Sequence, residues 1–222
     1  ADKTLQSYAR TQGLSGDITA APRAALGEYL AVVNANIAGG KTDVLIKQKV
    51  NLESNISLNG KLENRLAVER NFSASNSDDP WYKKDNTDFI KVMVPPNISL
   101  ISSPSKVEGT PARDYKKLKY EIDPDLEATD SSTAFDRQNF STWMTIKPGE
   151  TGTITMTYNN DGIDFTKPFT FIYEKQSGVD SALAYSISAP IGYKWKESNS
   201  PVFKYSAENT PARLVLELHL IK

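Results

Sequence analysis

The chain contains no cysteine and a single histidine, His219. The first absence removes disulfides, thiolate nucleophiles and cysteine metal sites together. The second leaves one imidazole for any acid-base chemistry. An excess of charge of one sign is missing too: 26 Lys and Arg stand against 27 Asp and Glu, a formal net charge of -1. No global field therefore draws the chain to nucleic acid or to an anionic membrane, and no nucleic-acid partner is expected. No stretch reaches the ~18 consecutive apolar residues of a membrane span, and the first residues lack the apolar centre of a signal peptide. The chain is expected to be soluble as it stands and is read as a portion of something longer.

What is present is core-forming material. A length of 222 residues, 39% of them hydrophobic, can fill one large β-sandwich or two small β domains. Residues 2–12, "DKTLQSYARTQ", place Leu5, Tyr8 and Ala9 at helical spacing before Gly13, which predicts one short helix. Beyond Gly27 the apolar period becomes two, and Pro, Asn and Gly recur between short runs of Val, Ile, Thr, Tyr and Phe. The expected class is all-β, an immunoglobulin-like sandwich with a short N-terminal helix. Segment 1–27 is the helical and linker portion, 28–125 the first sandwich portion and 126–222 the second. The polar stretch 123–133 lies between the two, and one continuous domain remains open alongside two halves.

Residues 44–72 carry the clearest local pattern. Val44, Ile46, Val50, Leu52, Ile56 and Leu58 alternate with polar neighbours, and Leu62, Leu66, Val68 and Phe72 follow. A two-residue Asn59-Gly60 turn would put these apolar sets on opposite faces. A three-residue loop of Leu58, Asn59 and Gly60, with Gly60 in the left-handed region, instead sets Ile56 against Leu62, Leu52 against Leu66, Val50 against Val68 and Ile46 against Phe72. The polar exceptions then also fall opposite one another, Gln48 with Arg70 and Ser54 with Asn64, as a correct register requires. Further strands are expected near 88–94, 98–103, 114–122, 138–147, 151–158, 168–175, 182–189, 193–197 and 210–221.

"EYLAVVNANIAGGKTD", residues 28–43, raises the question of a phosphate-cradling glycine loop. Such a loop needs a helix after its glycines, so that backbone N–H groups meet the anion. Residues 44–58 read as strand, so Gly39 and Gly40 are read as a turn, with Asn34 and Asn36 bonding the backbone and Lys41 and Asp43 solvated or locally paired. The same stretch, with Tyr29, Leu30, Asn34, Ala35, Asn36, Ile37, Gly39, Gly40, Lys41, Thr42 and Asp43 in order, resembles an uncharacterised bacterial family, the domain of unknown function numbered four thousand and twelve. "LQSYARTQGLSGDI", "FIKVMVPPNISL", "IKPGETGTITMTY" and "YEKQSGVDSALAYSISAPIGYKW" are similar to further segments of that family in the same order. The resemblance implies the C-terminal β portion of a single-span, membrane-anchored protein whose bulk lies outside the cytoplasm, and implies no activity.

The remaining motifs have plain structural readings. His219 lies opposite Leu214, Leu216, Leu218 and Leu220 on a terminal strand and is read as a polar surface residue, since no nucleophile elbow accompanies it. "YNNDGID", residues 158–164, departs from calcium-loop spacing and is read as a turn, and "SNSDDP", residues 75–80, likewise. "RDYKKLKY", residues 113–120, is read as a solvated strand face. "APIGYKW", residues 189–195, is similar to the ending of adhesin sandwiches with Lys-Asn crosslinks, but Ser186, Ile187 and Ser188 stand where those carry glutamate. Trp143 and Trp195 are expected in the core, whereas Trp81, beside Tyr82 in a polar loop after Pro80, is expected to be exposed.

The functional expectation is a non-enzymatic, extracytoplasmic β-sandwich module of a bacterial membrane-anchored surface protein, binding an envelope polymer or another surface protein or acting as a spacer. The alternative is an accessory domain of an envelope enzyme whose catalytic part lies upstream. Candidate binding residues are Trp81, Tyr82, Asn34, Asn36, Lys41 and Asp43. No catalytic residue, metal or cofactor is expected, and the chain is expected to be monomeric.

Overall fold

A computed structural model describes residues 2–12, 20–36, 41–73, 79–96, 98–102 and 131–222. The strand expected at 114–122, the glycines at 39 and 40, the basic stretch 113–120 and most of 75–80 and 123–133 lie outside the described residues. Helix α1, Lys3–Thr11, is started by Asp2, whose carboxylate accepts from the N–H groups of Thr4 (2.8 Å) and Leu5 (3.3 Å). It buries none of its residues.

The strands are β1 (Gly27–Asn36), β2 (Ile46–Ile56), β3 (Leu62–Phe72), β4 (Asn86–Val94), β5 (Ser99–Ser102), β6 (Ser131–Ala134) and β7 (Arg137–Ile146). They continue with β8 (Thr151–Asn160), β9 (Phe169–Lys175), β10 (Ser181–Ser188), β11 (Lys194–Trp195), β12 (Val202–Ala207), β13 (Arg213–Leu218) and β14 (Leu220–Ile221). Among the described residues they form two six-stranded sheets and a small two-stranded one. The first sheet runs β13-β9-β1-β4-β7-β6 and the second β12-β10-β2-β3-β8-β5. Two neighbours are parallel, β1 with β9 and β2 with β10, and the other pairs in these sheets are antiparallel.

Strands adjacent in sequence mostly lie in opposite sheets: β1 and β2, β3 and β4, β7 and β8, β9 and β10, β12 and β13. Each sheet thus draws strands from both sides of residue 125, and one apolar cluster extends from Leu30 to Leu218. The fold is an all-β sandwich. Its inner faces follow the period of two expected of strands with one covered side, as in the strictly alternating burial of β2. Phe171 on β9 stacks on Tyr185 of β10 at 3.9 Å between ring centroids, joining the sheets through their aromatic faces. Trp143 and Trp195 are both buried, and the indole N–H of Trp195 donates to the Ile187 carbonyl at 3.0 Å.

The β2–β3 ladder has the register read from the sequence, from Ile46 opposite Phe72 to Ile56 opposite Leu62. Gly60 has φ +79°, and the Ser57 and Lys61 backbones close the loop around it. Other expectations need correction. Val44 is not on β2 but exposed in a 3-10 turn, Thr42–Leu45, because the strand begins only at Ile46. Segment 210–221 is two strands, interrupted where the N–H of His219 donates to the Glu197 carboxylate instead of to a neighbouring strand. The sequence pattern marks no strand at β12, and β6 overlaps the end of the polar stretch 123–133. Asn159 and Asn160 belong to β8 and not to a turn: Asn160 is buried, with its amide nitrogen donating to the Gly27 carbonyl at 3.1 Å.

Candidate binding site at one end of the sandwich

Strand β1 has its inward positions at Glu28, Leu30, Val32 and Asn34, and β4 has Asn86, Asp88, Ile90, Val92 and Val94 in the same phase. The apolar members fill the core. The polar members Asn34, Asn86 and Asp88 fall towards one end of the first sheet, where β1 ends and β4 begins. The facing ladder of the second sheet has its polar exceptions Gln48 and Arg70 directly opposite each other at that same end. Closing the sandwich brings these sets together as a polar cap on an apolar core.

The cap is joined across the sheets. Arg70, 2% exposed, forms an ion pair through one guanidinium nitrogen with Asp88, which is completely buried. The same nitrogen donates to the Asn86 side-chain oxygen at 3.3 Å, and the other terminal nitrogen lies 3.8 Å from the Asp43 carboxylate. Burial lowers the Arg70 pKa to about 10, with Asp43 acting in the opposite direction, so the guanidinium stays charged at neutral pH. Asn86 donates to the Thr42 hydroxyl at 3.0 Å and to Asp43 at 2.9 Å, which ties the 42–45 turn to the cap. Asn34 donates from its side chain to Gln48 at 2.9 Å. Gln176 then imitates a neighbouring strand, accepting from the Asn34 N–H at 2.6 Å and donating to its carbonyl at 2.9 Å.

A cleft of about 200 Å³ opens over this cap, lined by Asn34, Asp43, Ile46, Arg70 and the turn from Gln176 to Val179. Beside it, the 3-10 turn Pro80–Lys83 packs against Thr42–Leu45. The Asp79 carboxylate accepts from the Trp81 N–H at 2.9 Å and shapes that turn. Trp81 is 48% exposed, with the Lys84 ammonium 4.8 Å from the ring centre, and Tyr82 is half-buried.

All six sequence candidates therefore lie at this end. Asn34 and Asp43 line the cleft, Trp81 and Tyr82 stand on the adjoining turn, and Asn36 ends β1 opposite Asp88. Lys41 is exposed at the start of the 42–45 turn. The Asn34 side chain bonds another side chain, Gln48, rather than the backbone, because the backbone is already held by Gln176. The residues sequence reasoning passed over are Gln48, Arg70, Asn86, Asp88 and Gln176. Gln48 and Arg70 did carry a signal: they are polar exceptions on an otherwise apolar face, used to set the register but equally a mark of a buried polar cluster.

The second pair of exceptions, Ser54 and Asn64, marks another buried network. Asn64 donates to the buried Glu28 carboxyl at 2.6 Å and accepts from the Ser54 hydroxyl at 2.5 Å. Burial pushes Glu28 up to about 8, outweighing the hydrogen bonds from the Tyr29 N–H and Asn64 that favour its anion. Two larger hollows lie elsewhere. One of about 480 Å³ sits between residues 20–23 and the Phe135–Arg137 turn, where Arg137 is engaged by the Phe135 carbonyl and the Tyr29 ring. The other, about 290 Å³, is an open trough along β2, β10 and β12.

His219 receives the Glu197 carboxylate at 2.8 Å. Burial works to raise Glu197, but the hydrogen bonds from the His219 backbone and ring outweigh it and hold the carboxyl below its usual range. The pair fastens β14 to the 196–197 turn.

The chain matches no protein-family model and no curated protein. Among solved structures it is similar to a "putative nutrient binding protein" of Legionella pneumophila, with 12% identity, a TM-score of 0.48, and coverage of 88% of this chain and 72% of that one. It is also similar to a "putative protease" of Parabacteroides distasonis, with 13% identity and a TM-score of 0.33, covering 76% of this chain and 36% of that one. These likenesses concern the arrangement of strands and say nothing of activity.

Proposed function

We propose that this chain is a non-enzymatic binding module, monomeric and working outside the cytoplasm as part of a membrane-anchored bacterial surface protein. It engages an envelope polymer or another surface protein with the loop end of the sandwich. The observation that carries this reading is the cross-sheet polar cap around Arg70, opening into a cleft beside a half-exposed tryptophan. An apolar side chain in place of any one capping residue would add roughly 1.5–3 kcal/mol of burial. A core that forgoes this at one end, where loops converge, has the composition of a recognition site. The setting outside the cytoplasm rests on the resemblance carried by residues 28–43 and its companion segments. Binding rather than catalysis is supported by the way Arg70, Asn86 and Gln176 are bonded to other groups of the cap.

The test is co-sedimentation of the purified chain with isolated bacterial envelope fractions. Saturable binding is expected, weakened about tenfold or more by Trp81→Ala. Folded protein that binds no fraction, and no extracted surface protein, refutes the reading.

A further inference from the structure

We infer that β13 is a pairing edge for a second copy of this chain, added antiparallel so that Arg213 faces the partner's Glu217 and Val215 faces the partner's Val215. The inference goes beyond the binding reading and does not require it. β13 is an outer strand of the first sheet, and its far side carries no further strand among the described residues. An open strand edge is a template for another chain, and proteins usually blunt it with a short strand, a bulge, proline or lysine. The other three outer strands carry such devices. β5 and β6 are four residues long, β5 shifts register between Leu100 and Ser102, and β12 has Lys204 at mid-strand. β13 runs six residues in regular register without proline or lysine, and Val215 near its centre is 53% exposed.

The backbone phase fixes which residues meet the newcomer. The Lys175 N–H donates to the Ala212 carbonyl at 2.9 Å, so these two residues form a hydrogen-bonded pair where the chain enters β13. Such pairs alternate along an antiparallel ladder. Leu214 and Leu216 therefore bond to β9, while Arg213, Val215 and Glu217 turn their N–H and C=O groups to the open edge. The side chains of these three are exposed on the outer face, and Leu214 and Leu216 pack against the core.

A second β13 offers the same three residues in reverse order. With Val215 on the twofold axis, Arg213 meets the partner's Glu217 and Glu217 the partner's Arg213, and each facing pair exchanges two N–H···O bonds. Leu214 then falls beside the partner's Leu216 on the inner face. A slip of two residues sets a charge opposite Val215, and a slip of four sets Arg213 or Glu217 opposite its own copy. A slip of one turns the partner's inner face outward. One register thus satisfies backbone, apolar face and charge together. Arg213 already holds Glu174 at 2.6 Å, and its fork of five donors has room to bridge Glu174 and the partner's Glu217. Glu217 lies 3.7 Å from the His219 imidazole and stays exposed.

A single strand pair covers far less than the ~1,200–2,000 Å² of a stable interface, so the pairing is weak. The dilute chain remains monomeric, as proposed above, and pairing sets in with a Kd of about 0.1–1 mM, where copies are crowded.

The experiment is disulfide trapping at about 1 mM chain, read cleanly because the native sequence has no cysteine. Facing Cα atoms of a hydrogen-bonded pair are ~5.5 Å apart, within disulfide reach, whereas Arg213 and the partner's Arg213 stand roughly 13 Å apart along the strands. With glutathione disulfide as oxidant, Val215→Cys should crosslink to itself, and Arg213→Cys to Glu217→Cys. Both reactions should run at least about tenfold faster than Arg213→Cys or Glu217→Cys with its own copy. On the cysteine-free chain, an amide NMR dilution series should show shifts centred on 213–217. Glu217→Lys and Arg213→Glu, each keeping its melting temperature, should weaken this pairing about tenfold or more, and their equimolar mixture should restore it because opposite charges again face each other. Equal trapping in every combination, or folded protein without concentration-dependent shifts at 213–217, overturns the inference. Envelope co-sedimentation of micromolar protein should be unmoved by Glu217→Lys, so failure here leaves the binding reading standing, and failure there leaves the edge pairing standing.

Discussion

Replacing Glu28 by glutamine tests the account of the buried polar network. Glu28 lies on β1 with no solvent exposure, and its carboxyl titrates near 8 in the fold against 4.5 for the ordinary group. The folded protein therefore holds a proton that the unfolded chain releases above about pH 4.5. Over that window the unfolded state binds fewer protons, so stability falls as pH rises, by up to about 1.4 kcal/mol per pH unit. The contribution is fully present below about pH 4.5 and lost by about pH 8, with a ceiling on the order of 5 kcal/mol. Glutamine cannot titrate and removes this slope while keeping the side-chain length. The assay is urea unfolding at pH 5, 6.5 and 8 for wild type and Glu28→Gln, reading the difference between them so that the groups common to both proteins cancel. Wild type should lose stability relative to the variant steadily from pH 5 to 8. A difference that is flat with pH, or that grows in favour of wild type, refutes the claim that burial dominates at Glu28.

Three further predictions follow from packing. Arg70→Met leaves Asp88 buried without its cation and should cost about 3–5 kcal/mol in urea unfolding, most of it recovered when Asp88→Leu is added. In Gly27→Ala the new Cβ would lie 2.0 Å from the Thr170 carbonyl oxygen, backbone against backbone in the parallel β1–β9 pair. A loss above about 4 kcal/mol is expected, read as failure to recover folded protein. Gly60→Ala combines φ +79° with a contact of 3.0 Å to the Ile163 carbonyl, and should lower stability by about 1–2 kcal/mol without altering the β2–β3 register as read by cross-strand NMR contacts.

The hairpin of β2 and β3 was legible because everything that determines it is contiguous: two alternating runs, a loop with glycine where φ is positive, and polar exceptions that match only in one register. The same local logic located most strands and separated the buried Trp143 and Trp195 from the exposed Trp81. It missed β12, whose residues are nowhere fully buried and alternate weakly, and β6, a polar run held by its hairpin with β7. What tertiary structure alone decided is non-local. The parallel pairing of β1 with β9 and of β2 with β10, and the alternation of successive strands between sheets, depend on the summed burial of the whole core rather than on any one segment. The site belongs to the same category. Asn34, Gln48, Arg70 and Asp88 stand on four strands in two sheets, and each by itself is only a polar residue on an inward face. The sequence by itself determined that those inward positions would be polar. Only the closing of one sheet on the other, which takes them out of water together, made them partners.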